Sequence, residues 1–254
     1  DLLSRTYVDA IIQPARQENE NKALCNMIDR YHNNAKTLFI ADRGFESYNI
    51  FAHIQEKGMY YLIRVKDILS QGMASAARAQ LPINKDSFDS MVRITLTNKQ
   101  TKETRMNPEK YRMVMTNQHF DFLSNYQRFY DLVFRIVRFP LSNGSFECII
   151  TNLSQDDFSS DDIKDLYHMR WGIETSFREL KYAIGLTNFH SKKCDYIQQE
   201  IWARLILYNF CEAITTRTIM RQSNRKRKHF YQLNYTRAIH ICRFFLSIRK
   251  GAPP

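Results

Sequence analysis

Five polar residues recur along one predicted helix at spacings that place them on the same side. Each residue of an ideal α-helix advances by about 100°, so Tyr167, Arg170, Glu174, Arg178 and Lys181 fall within a stripe roughly 80° wide. Guanidinium and ammonium groups bind phosphate oxygens, and a carboxylate binds hard metal ions. The stripe therefore marks residue types that could carry phosphate chemistry.

An ion-pair ladder is the competing interpretation of this stripe. Arg170, Glu174 and Arg178 are spaced four residues apart, and each such pair contributes only about 0.2–0.5 kcal/mol to a helix. Taken alone, the spacing favours this structural role. The same helix has a separate apolar face that we expect to pack on a sheet, formed by Leu166, Met169, Ile173, Phe177, Leu180 and Ile184.

A second carboxylate changes this balance. Asp42 directly follows the apolar run of residues 37–41 and precedes Arg43-Gly44, a sharp exit from a strand. Open α/β sheets place ligands and catalytic groups at the carboxyl ends of their strands. For an isolated Asp-Arg-Gly, a turn or helix cap would be the better interpretation.

The elements around Asp42 indicate an α/β layer. Short apolar runs predict strands, and apolar residues at helical spacing predict helices. Strands alternating with helices are typical of α/β folds. We predict a strand at 5–12, a helix at 18–32, a strand buried on both faces at 37–41, a helix at 47–57 that Gly58 ends, and a buried strand at 59–65.

The pattern of apolar and polar residues changes twice along the remaining chain. Residues 66–153 alternate apolar and polar positions, and Asn143-Gly144 between two apolar runs is a strong hairpin signal. A long helix then begins at Ser159 or Ser160, since Ser caps helix N–H groups, and runs to about residue 184. The further predicted elements are strands at 91–97, 111–115, 129–139 and 146–153 and helices at 195–220 and 235–248.

Two segments together resemble a known family. Asp42 in FIADRGFES, 132 residues before Glu174, and Tyr167, Arg170, Glu174 and Lys181 in LYHMRWGIETSFRELK resemble the bacterial insertion-sequence transposases of the DDE class with a Tyr-Arg-Glu-Lys signature. The resemblance covers residues 5 to about 208. It implies an RNase H-like fold in which three carboxylates bind two Mg²⁺ or Mn²⁺ ions, and the ions drive in-line attack on a phosphodiester.

The resemblance also implies roles for single residues. Asp42 would be the second acid of the metal-binding triad and Glu174 the third. Tyr167, Arg170 and Lys181 would hold DNA phosphates near the cleaved end, and Arg178 faces the same way. Trp171 borders the stripe, where stacking on a base competes with packing against the β-rich insertion.

The first acid of the family triad has no match in this chain. It is expected on a strand before residues 5–12, and neither Asp1 nor Asp9 is assigned to it. We therefore expect the chain to be the C-terminal part of a transposase, with the first acid upstream of Asp1. Two carboxylates cannot hold both metals, so we expect the chain alone not to join DNA strands.

The excess positive charge is concentrated near the C-terminus. The chain has a formal charge of +11, and residues 189–254 contribute +10 of it, from 13 Lys and Arg against 3 Asp and Glu. Such a block attracts phosphate-rich partners, although a solvated basic tail is equally common. The run Arg225-Lys226-Arg227-Lys228 is accordingly either a DNA contact or a solvated segment.

Composition excludes several protein classes. No apolar stretch approaches the roughly 18 residues that a membrane span needs, and from the first residues we expect no signal segment. Five cysteines without close spacing argue against a disulfide scaffold or a zinc finger and favour a reducing compartment. We expect a bacterial cytoplasmic protein that associates with the nucleoid and not with membranes.

The sequence thus predicts an α/β protein with an RNase H-like core, a mixed sheet with flanking helices, a mainly β insertion and a helical C-terminal region. The function would be metal-dependent DNA cleavage and strand transfer at terminal inverted repeats, by a homodimer bound to repeat and target DNA. The alternatives are a metal-dependent nuclease of the same fold and a non-enzymatic DNA-binding remnant. The predicted parts are 1–65 (first core part), 66–153 (insertion), 154–220 (second core part) and 221–254 (basic linker and helix).

Overall fold

The computed structural model describes residues 1–32, 35–115, 118–217 and 234–248. It divides into two compact units, which we name by their main content. The sheet region comprises the described residues of 13–168. The helical region comprises residues 1–12 together with the described residues from 169 onward. The α/β class and the RNase H-like architecture predicted from the sequence are confirmed.

One mixed six-stranded sheet organises the sheet region, with the strand order β1-β2-β6-β5-β3-β4. The pairs β1·β2 and β3·β4 are parallel, and the other neighbours are antiparallel. The strands of the predicted insertion thus continue the sheet that β1 and β2 begin, and the four-part division of the chain stays a prediction. The strands are β1 (Leu38–Ala41), β2 (Tyr60–Val65), β3 (Phe88–Thr97), β4 (Tyr111–Met113), β5 (Phe129–Pro140) and β6 (Phe146–Thr151).

Helices flank this sheet as the apolar spacing predicted. Short 3₁₀ turns at Arg43–Phe45 and Arg78–Gln80 connect elements, and Gly58 follows the second helix with a positive φ of 63° that suits glycine. Ile50, Phe51 and Ile54 are buried against the sheet. The helices are α1 (Glu20–Arg30), α2 (Tyr48–Glu56), α3 (Met73–Ala76), α4 (Lys102–Met106) and α5 (Ser160–His168).

The β5–β6 hairpin is confirmed at Asn143-Gly144. Gly144 has a φ of 78°, and the Asn143 side chain accepts a hydrogen bond from the Ser145 backbone N–H at 3.0 Å. The loop closes where the Ser145 carbonyl accepts from the Leu141 N–H at 2.7 Å. The dipeptide Asn143-Gly144 was therefore sufficient to predict a turn that needs a positive φ.

Strand β1 is only half-buried along its length, so the prediction that it is buried on both faces was wrong. It pairs with β2 alone among the described strands and lies at the edge of the sheet. Strand β2 has neighbours on both sides, and most of its residues are fully buried. An uninterrupted apolar run did not distinguish an edge strand from a central one.

The long helix predicted from residue 159 to 184 begins as expected but does not run through. Ser159 caps α5, since its hydroxyl accepts from the Asp162 N–H at 3.2 Å. Gly172 and Ile173 then donate to the carbonyls three residues earlier, Met169 and Arg170, which tightens the chain and ends α5. The helix resumes as α6 (Trp171–Arg178) and widens into a π-helix at Glu179–Ala183.

The single apolar face expected for that helix is therefore also wrong. Leu166 packs in a cluster with sheet residues, whereas Leu180 and Ile184 pack in the cluster formed with the two later helices. Met169 and Phe177 are largely exposed. Because the helical phase is interrupted, residues separated by multiples of 3.6 no longer share one face.

Residues 5–12 form no strand, which corrects a further prediction. Where a strand would pair with a neighbouring backbone, the Tyr7 N–H donates to Asn209 Oδ1 at 2.8 Å, and Asn209 Nδ2 donates to the Tyr7 carbonyl at 2.7 Å. One side-chain amide thus satisfies both backbone groups of Tyr7.

Two further helices complete the helical region: α7 (Cys194–Thr215) and α8 (Tyr235–Ile248). Their packed residues include Leu205, Tyr208, Cys211, Ile239 and Cys242. The bounds of α8 match the sequence prediction, and α7 ends five residues before the predicted end. Across the described residues, none of the helices has the length and apolar character that crossing a membrane requires.

Candidate active site

Asp42 lies at the carboxyl end of β1, where the sequence placed it. Its Oδ1 accepts a hydrogen bond from the Arg43 N–H at 2.7 Å, and its carbonyl accepts from the Phe45 N–H at 3.0 Å. The carboxylate therefore caps the 3₁₀ turn that follows, while its side chain remains 49% exposed. Capping and exposure coexist, so the cap interpretation does not remove Asp42 as a ligand candidate.

Tyr167 lies on α5, and the structure brings it to Asp42. Its ring is only 3% exposed and packs in a cluster with Leu62, Val137 and Ile149. Its hydroxyl donates to Asp42 Oδ1 at 3.3 Å. This phenol is thus a buried neighbour of the carboxylate, and its predicted contact with DNA phosphate stays a prediction.

Two charged residues near Asp42, Arg64 and Glu147, were not predicted from the sequence. Arg64 on β2 lies with one guanidinium nitrogen, Nη1, 3.9 Å from Asp42 Oδ1, and its Nε contacts Glu147 Oε1 on β6 at 3.1 Å. Each is a lone charge inside an apolar strand, in YYLIRV and FECIIT. That pattern is a detectable signal, but only the strand order shows that the two side chains meet.

At the start of α6, the structure brings Arg170, the N-cap residue, and Glu174 together. Arg170 Nη2 lies 3.1 Å from Glu174 Oε1, which forms one rung of the ion-pair ladder considered from the sequence. The Arg170 side chain is mostly buried, whereas Glu174 is 49% exposed. The guanidinium also lies 5.7 Å from the ring of Trp171, which is 60% exposed. The ladder and a ligand role are compatible, because half of the Glu174 side chain faces solvent.

Arg178 and Lys181 follow Glu174 as exposed cations. Lys181 lies in the π-helix, where the Ile184 N–H donates to the carbonyl of Glu179, five residues earlier, at 3.0 Å. A π-helix turns less per residue than an α-helix. The 80° stripe calculated for an ideal helix therefore does not describe Lys181, although both side chains remain exposed.

The segment around Tyr7 holds α6 within the helical region. The Tyr7 hydroxyl and Ser176 Oγ lie 3.0 Å apart, and the Tyr7 ring contacts Phe177 and Tyr208. Ser176 follows Glu174 by two residues. The strand predicted for residues 5–12 gave no indication of this contact.

A cluster of buried acids lies further along the same region. Arg5 contacts Glu179 at 3.6 Å and Glu212 at 3.5 Å, and the Glu212 carboxylate is almost fully buried. Burial raises the pKa of Glu179 and the charge of Glu212 raises it further, while Arg5 acts in the opposite direction. One guanidinium therefore serves two carboxylates.

A cavity of about 1120 Å³ lies in the sheet region and includes Arg43 in its lining. His53 there is held by two carboxylates, with Nδ1 2.7 Å from Asp29 Oδ1 and Nε2 2.9 Å from Asp121 Oδ2. Burial lowers the pKa of His53, but these two contacts outweigh it and raise the pKa above its usual value. The cluster joins α1, α2 and the segment before β5.

The donor chemistry of both predicted acids suits a hard metal ion. Asp42 and Glu174 each present a half-exposed carboxylate, and Mg²⁺ and Mn²⁺ prefer oxygen ligands and retain several waters. Asp42 belongs to the sheet region and Glu174 to the helical region. Within the part of the chain that the structure describes, no three His, Cys, Asp or Glu side chains form a metal-binding group. The metal-binding role of each acid stays a prediction.

The basic run Arg225-Lys226-Arg227-Lys228 lies outside the described residues, so its predicted DNA contact stays a prediction.

Comparisons with known proteins agree with this chemistry. A family model described as the transposase DDE domain matches residues 1–210. The chain is also similar to a putative transposase InsL for insertion sequence element IS186A of Escherichia coli strain K12, and to the transposase for insertion sequence element IS421 of Escherichia coli. Each is 31% identical over 58 residues, which is 23% of this chain and 16% of the relative.

The matched segments thus cover less than a fifth of the length of these relatives. The family model spans most of the chain and carries the assignment. Together with the two relatives, it confirms the resemblance to bacterial insertion-sequence DDE transposases.

Proposed function

The chain belongs to the transposase DDE domain family, and from that premise we propose that it carries out metal-dependent DNA cleavage and strand transfer for a bacterial insertion sequence. The observation that carries the proposal is the family match over residues 1–210, which contains Asp42 at the end of β1 and the half-exposed Glu174 on α6. The substrates would be the terminal inverted repeats of the element and a target DNA.

Asp42 and Glu174 are the proposed catalytic metal ligands in this chain. Both would bind Mg²⁺ or Mn²⁺ through carboxylate oxygens, together with a further acid of the family triad. When bound, two such ions activate a water or a DNA 3′-hydroxyl for attack on phosphorus and stabilise the leaving oxygen. The exposure of both carboxylates supports this role, since the ligands must be reached by metal and DNA.

Cations of the signature region would hold the DNA. Arg178 and Lys181 are exposed and would donate to phosphate oxygens. Arg170, which pairs with Glu174, would do so while keeping that carboxylate oriented. Trp171 is exposed enough to stack on a base. Arg225, Lys226, Arg227 and Lys228 would add phosphate contacts, and neutralising them should flatten the dependence of DNA affinity on salt.

The role that we propose for Tyr167 differs from the contact with DNA phosphate that its signature position implied. Its hydroxyl donates to Asp42 Oδ1 and its ring is buried. We therefore propose that Tyr167 holds the Asp42 carboxylate, with any phosphate contact secondary to that.

The partners and location follow from the same proposal. The protein would bind double-stranded DNA as a homodimer, because two element ends must be joined to one target. Its place of action would be the bacterial cytoplasm, at the nucleoid.

The test is a cleavage and joining assay with duplexes taken from the DNA on both sides of the gene, using the complete gene product in Mg²⁺ or Mn²⁺. Asp42→Asn and Glu174→Gln should each reduce joining by at least about 100-fold while DNA binding stays within a few-fold. Asp157→Asn and Glu20→Gln, two exposed acids of the sheet region, are matched controls and should leave joining unchanged.

Three outcomes would contradict the proposal in different ways. Cleavage of the ends without joining of pre-cleaved ends would identify a nuclease. Binding of repeat DNA with no metal-dependent activity would identify a DNA-binding remnant. Loss of DNA binding as severe as the loss of joining in Asp42→Asn or Glu174→Gln would assign these acids a structural role.

A further inference from the structure

Three adjacent strands place charged side chains in one row beside Asp42. In the parallel pair β1·β2, Ala41 lies opposite Ile63, so the next position places Asp42 beside Arg64. In the antiparallel pair β2·β6, Arg64 lies opposite Ile149. Side chains two residues apart on a strand point to the same face of the sheet, and so do directly opposed residues on neighbouring strands. Glu147 therefore points to the same face as Ile149 and Arg64.

Contacts within this row run from a buried acid to an exposed one. Glu147 has a nearly buried side chain, and its Oε1 lies 3.1 Å from Arg64 Nε. The guanidinium is a planar, rigid fork, so fixing Nε also fixes the direction of its two terminal nitrogens. One of them, Nη1, then lies 3.9 Å from Asp42 Oδ1.

The same oxygen of Asp42 receives two further contacts. The Arg43 N–H donates to Oδ1 at 2.7 Å and the Tyr167 hydroxyl donates to it at 3.3 Å. Three groups from β2, the 3₁₀ turn and α5 thus converge on Oδ1. Convergence of this kind restricts the rotation of a carboxylate that is otherwise half exposed.

We propose that Arg64, fixed by Glu147, is a positioning residue that orients the Asp42 carboxylate for metal binding. This inference rests on the proposed function, because it assumes that Asp42 is a metal ligand. Groups that orient metal ligands typically change metal affinity by about 10-fold to 100-fold when they are removed. Neither Arg64 nor Glu147 belongs to the family signature quoted above.

The direction in which removal of Arg64 changes metal affinity distinguishes an orienting role from the effect of its charge. A cation 3.9 Å from a ligand repels an incoming metal ion, so its removal would tighten metal binding if charge alone mattered. Removal weakens binding if orientation matters more. Arg64→Lys retains the charge but lacks the fork that contacts Glu147 and Asp42 together.

The experiment measures Mn²⁺ binding to the protein used in the joining assay by electron paramagnetic resonance, with circular dichroism and thermal unfolding to confirm folding. We expect Arg64→Gln and Arg64→Lys to weaken Mn²⁺ binding about 10-fold. Glu147→Ala should weaken it similarly, whereas Glu147→Gln, which still offers an oxygen to Arg64 Nε, should remain within about 3-fold of the unsubstituted protein. Arg93→Gln, an exposed arginine on β3, is the matched control and should have no effect.

The outcomes distinguish failure of this inference from failure of the proposed function. Unchanged or tighter Mn²⁺ binding in Arg64→Gln, with weaker binding in Asp42→Asn, would overturn the positioning role and leave Asp42 as a ligand. Mn²⁺ binding that Asp42→Asn does not change would overturn the metal role of Asp42, and the positioning role with it. If Arg64→Gln fails to fold, the contrast between Glu147→Ala and Glu147→Gln decides.

Discussion

The sheet region and the helical region hold their acidic residues in different ways. In the sheet region, Asp42 receives contacts from three separate elements, and Tyr167 beside it is buried. In the helical region, Glu174 is paired with Arg170, the N-cap residue of its own helix, four residues away. The comparison shows that strand register orients a side chain through distant parts of the sequence, whereas α6 orients one through its immediate neighbours.

Buried charge shows the same contrast. Each buried arginine of the sheet has its own carboxylate: Arg135 pairs with Asp89, and Arg138 pairs with Asp67 at 2.7 Å. In the helical region, Arg5 serves both Glu179 and Glu212. Each of these buried arginines in the sheet region thus has one acid, whereas in the helical region two acids share one half-exposed arginine.

The largest expected effect breaks this pairing in the sheet region. Arg135 binds Asp89 and the carbonyls of Ser154 and Phe158, so it fastens the segment that leads into α5. Asp89→Asn should lower the free energy of unfolding by about 3–5 kcal/mol, because it leaves a buried guanidinium without its counter-charge. Denaturant unfolding measures this, and Asp157→Asn, an exposed acid, should change it by less than about 0.5 kcal/mol. A loss below about 1 kcal/mol for Asp89→Asn would contradict the comparison.

Acidification should affect the two regions in opposite directions. Burial alone would raise the pKa of Asp89, but hydrogen bonds from Arg135, Gln155 and Ser160 outweigh it and hold the pKa below its usual value. Stability from Asp89 is thus present above its ordinary pKa and lost as pH falls through the lowered one. The pKa of Glu179 is raised, so its contribution is greatest below its ordinary pKa and is lost as pH rises through the raised one.

Glu179→Gln tests this opposition. The substitution should stabilise the helical region near neutral pH by up to about 1 kcal/mol and should have no benefit below the ordinary pKa of glutamate, because the site is partly exposed and already neutral there. Hydrogen exchange of α7 amides at about pH 7 and about pH 4 measures the local effect. Equal changes at both pH values would show that Glu179 carries no strain from its charge.

The smallest expected effects come from two hydroxyl groups. Tyr167→Phe removes a hydrogen bond to a carboxylate and should cost about 1 kcal/mol, whereas Tyr7→Phe removes one to Ser176 and should cost about 0.5 kcal/mol. Thermal unfolding measures both, and each variant serves as the control for the other. If Tyr7→Phe lowered the free energy of unfolding more than Tyr167→Phe does, the hydroxyl contact in the helical region would be the stronger one, contrary to this prediction.

Local patterns predicted most of the elements of the sheet region. The apolar spacing of α1 and α2, the capping serine of α5 and the Asn143-Gly144 hairpin all act within a few residues, so single-sequence reasoning reached them. Asp42 was found for the same reason, since a strand end followed by Arg-Gly is a local signal. The division of the chain into four parts remains a prediction.

The predictions of secondary structure were wrong where a residue distant in the sequence interacts with the segment. Residues 5–12 have the composition of a strand, but Asn209 satisfies the backbone of Tyr7 instead. The helix expected to reach residue 184 has uninterrupted helical periodicity, yet it changes to a tighter turn at Met169 and a wider one after Arg178. Periodicity reports the preference of a segment and contains no information on where neighbouring elements interrupt it.

The sequence by itself determined the family, the strand-end carboxylate Asp42 and the signature residues on the helix, because type and spacing along the chain carry that information. Only the tertiary structure decided that Tyr167 is buried against Asp42, that Arg64 and Glu147 share its sheet face, and that Arg5 lies between two acids. Strand register and helix packing join residues up to about two hundred positions apart, and such pairings depend on the energy of the whole fold.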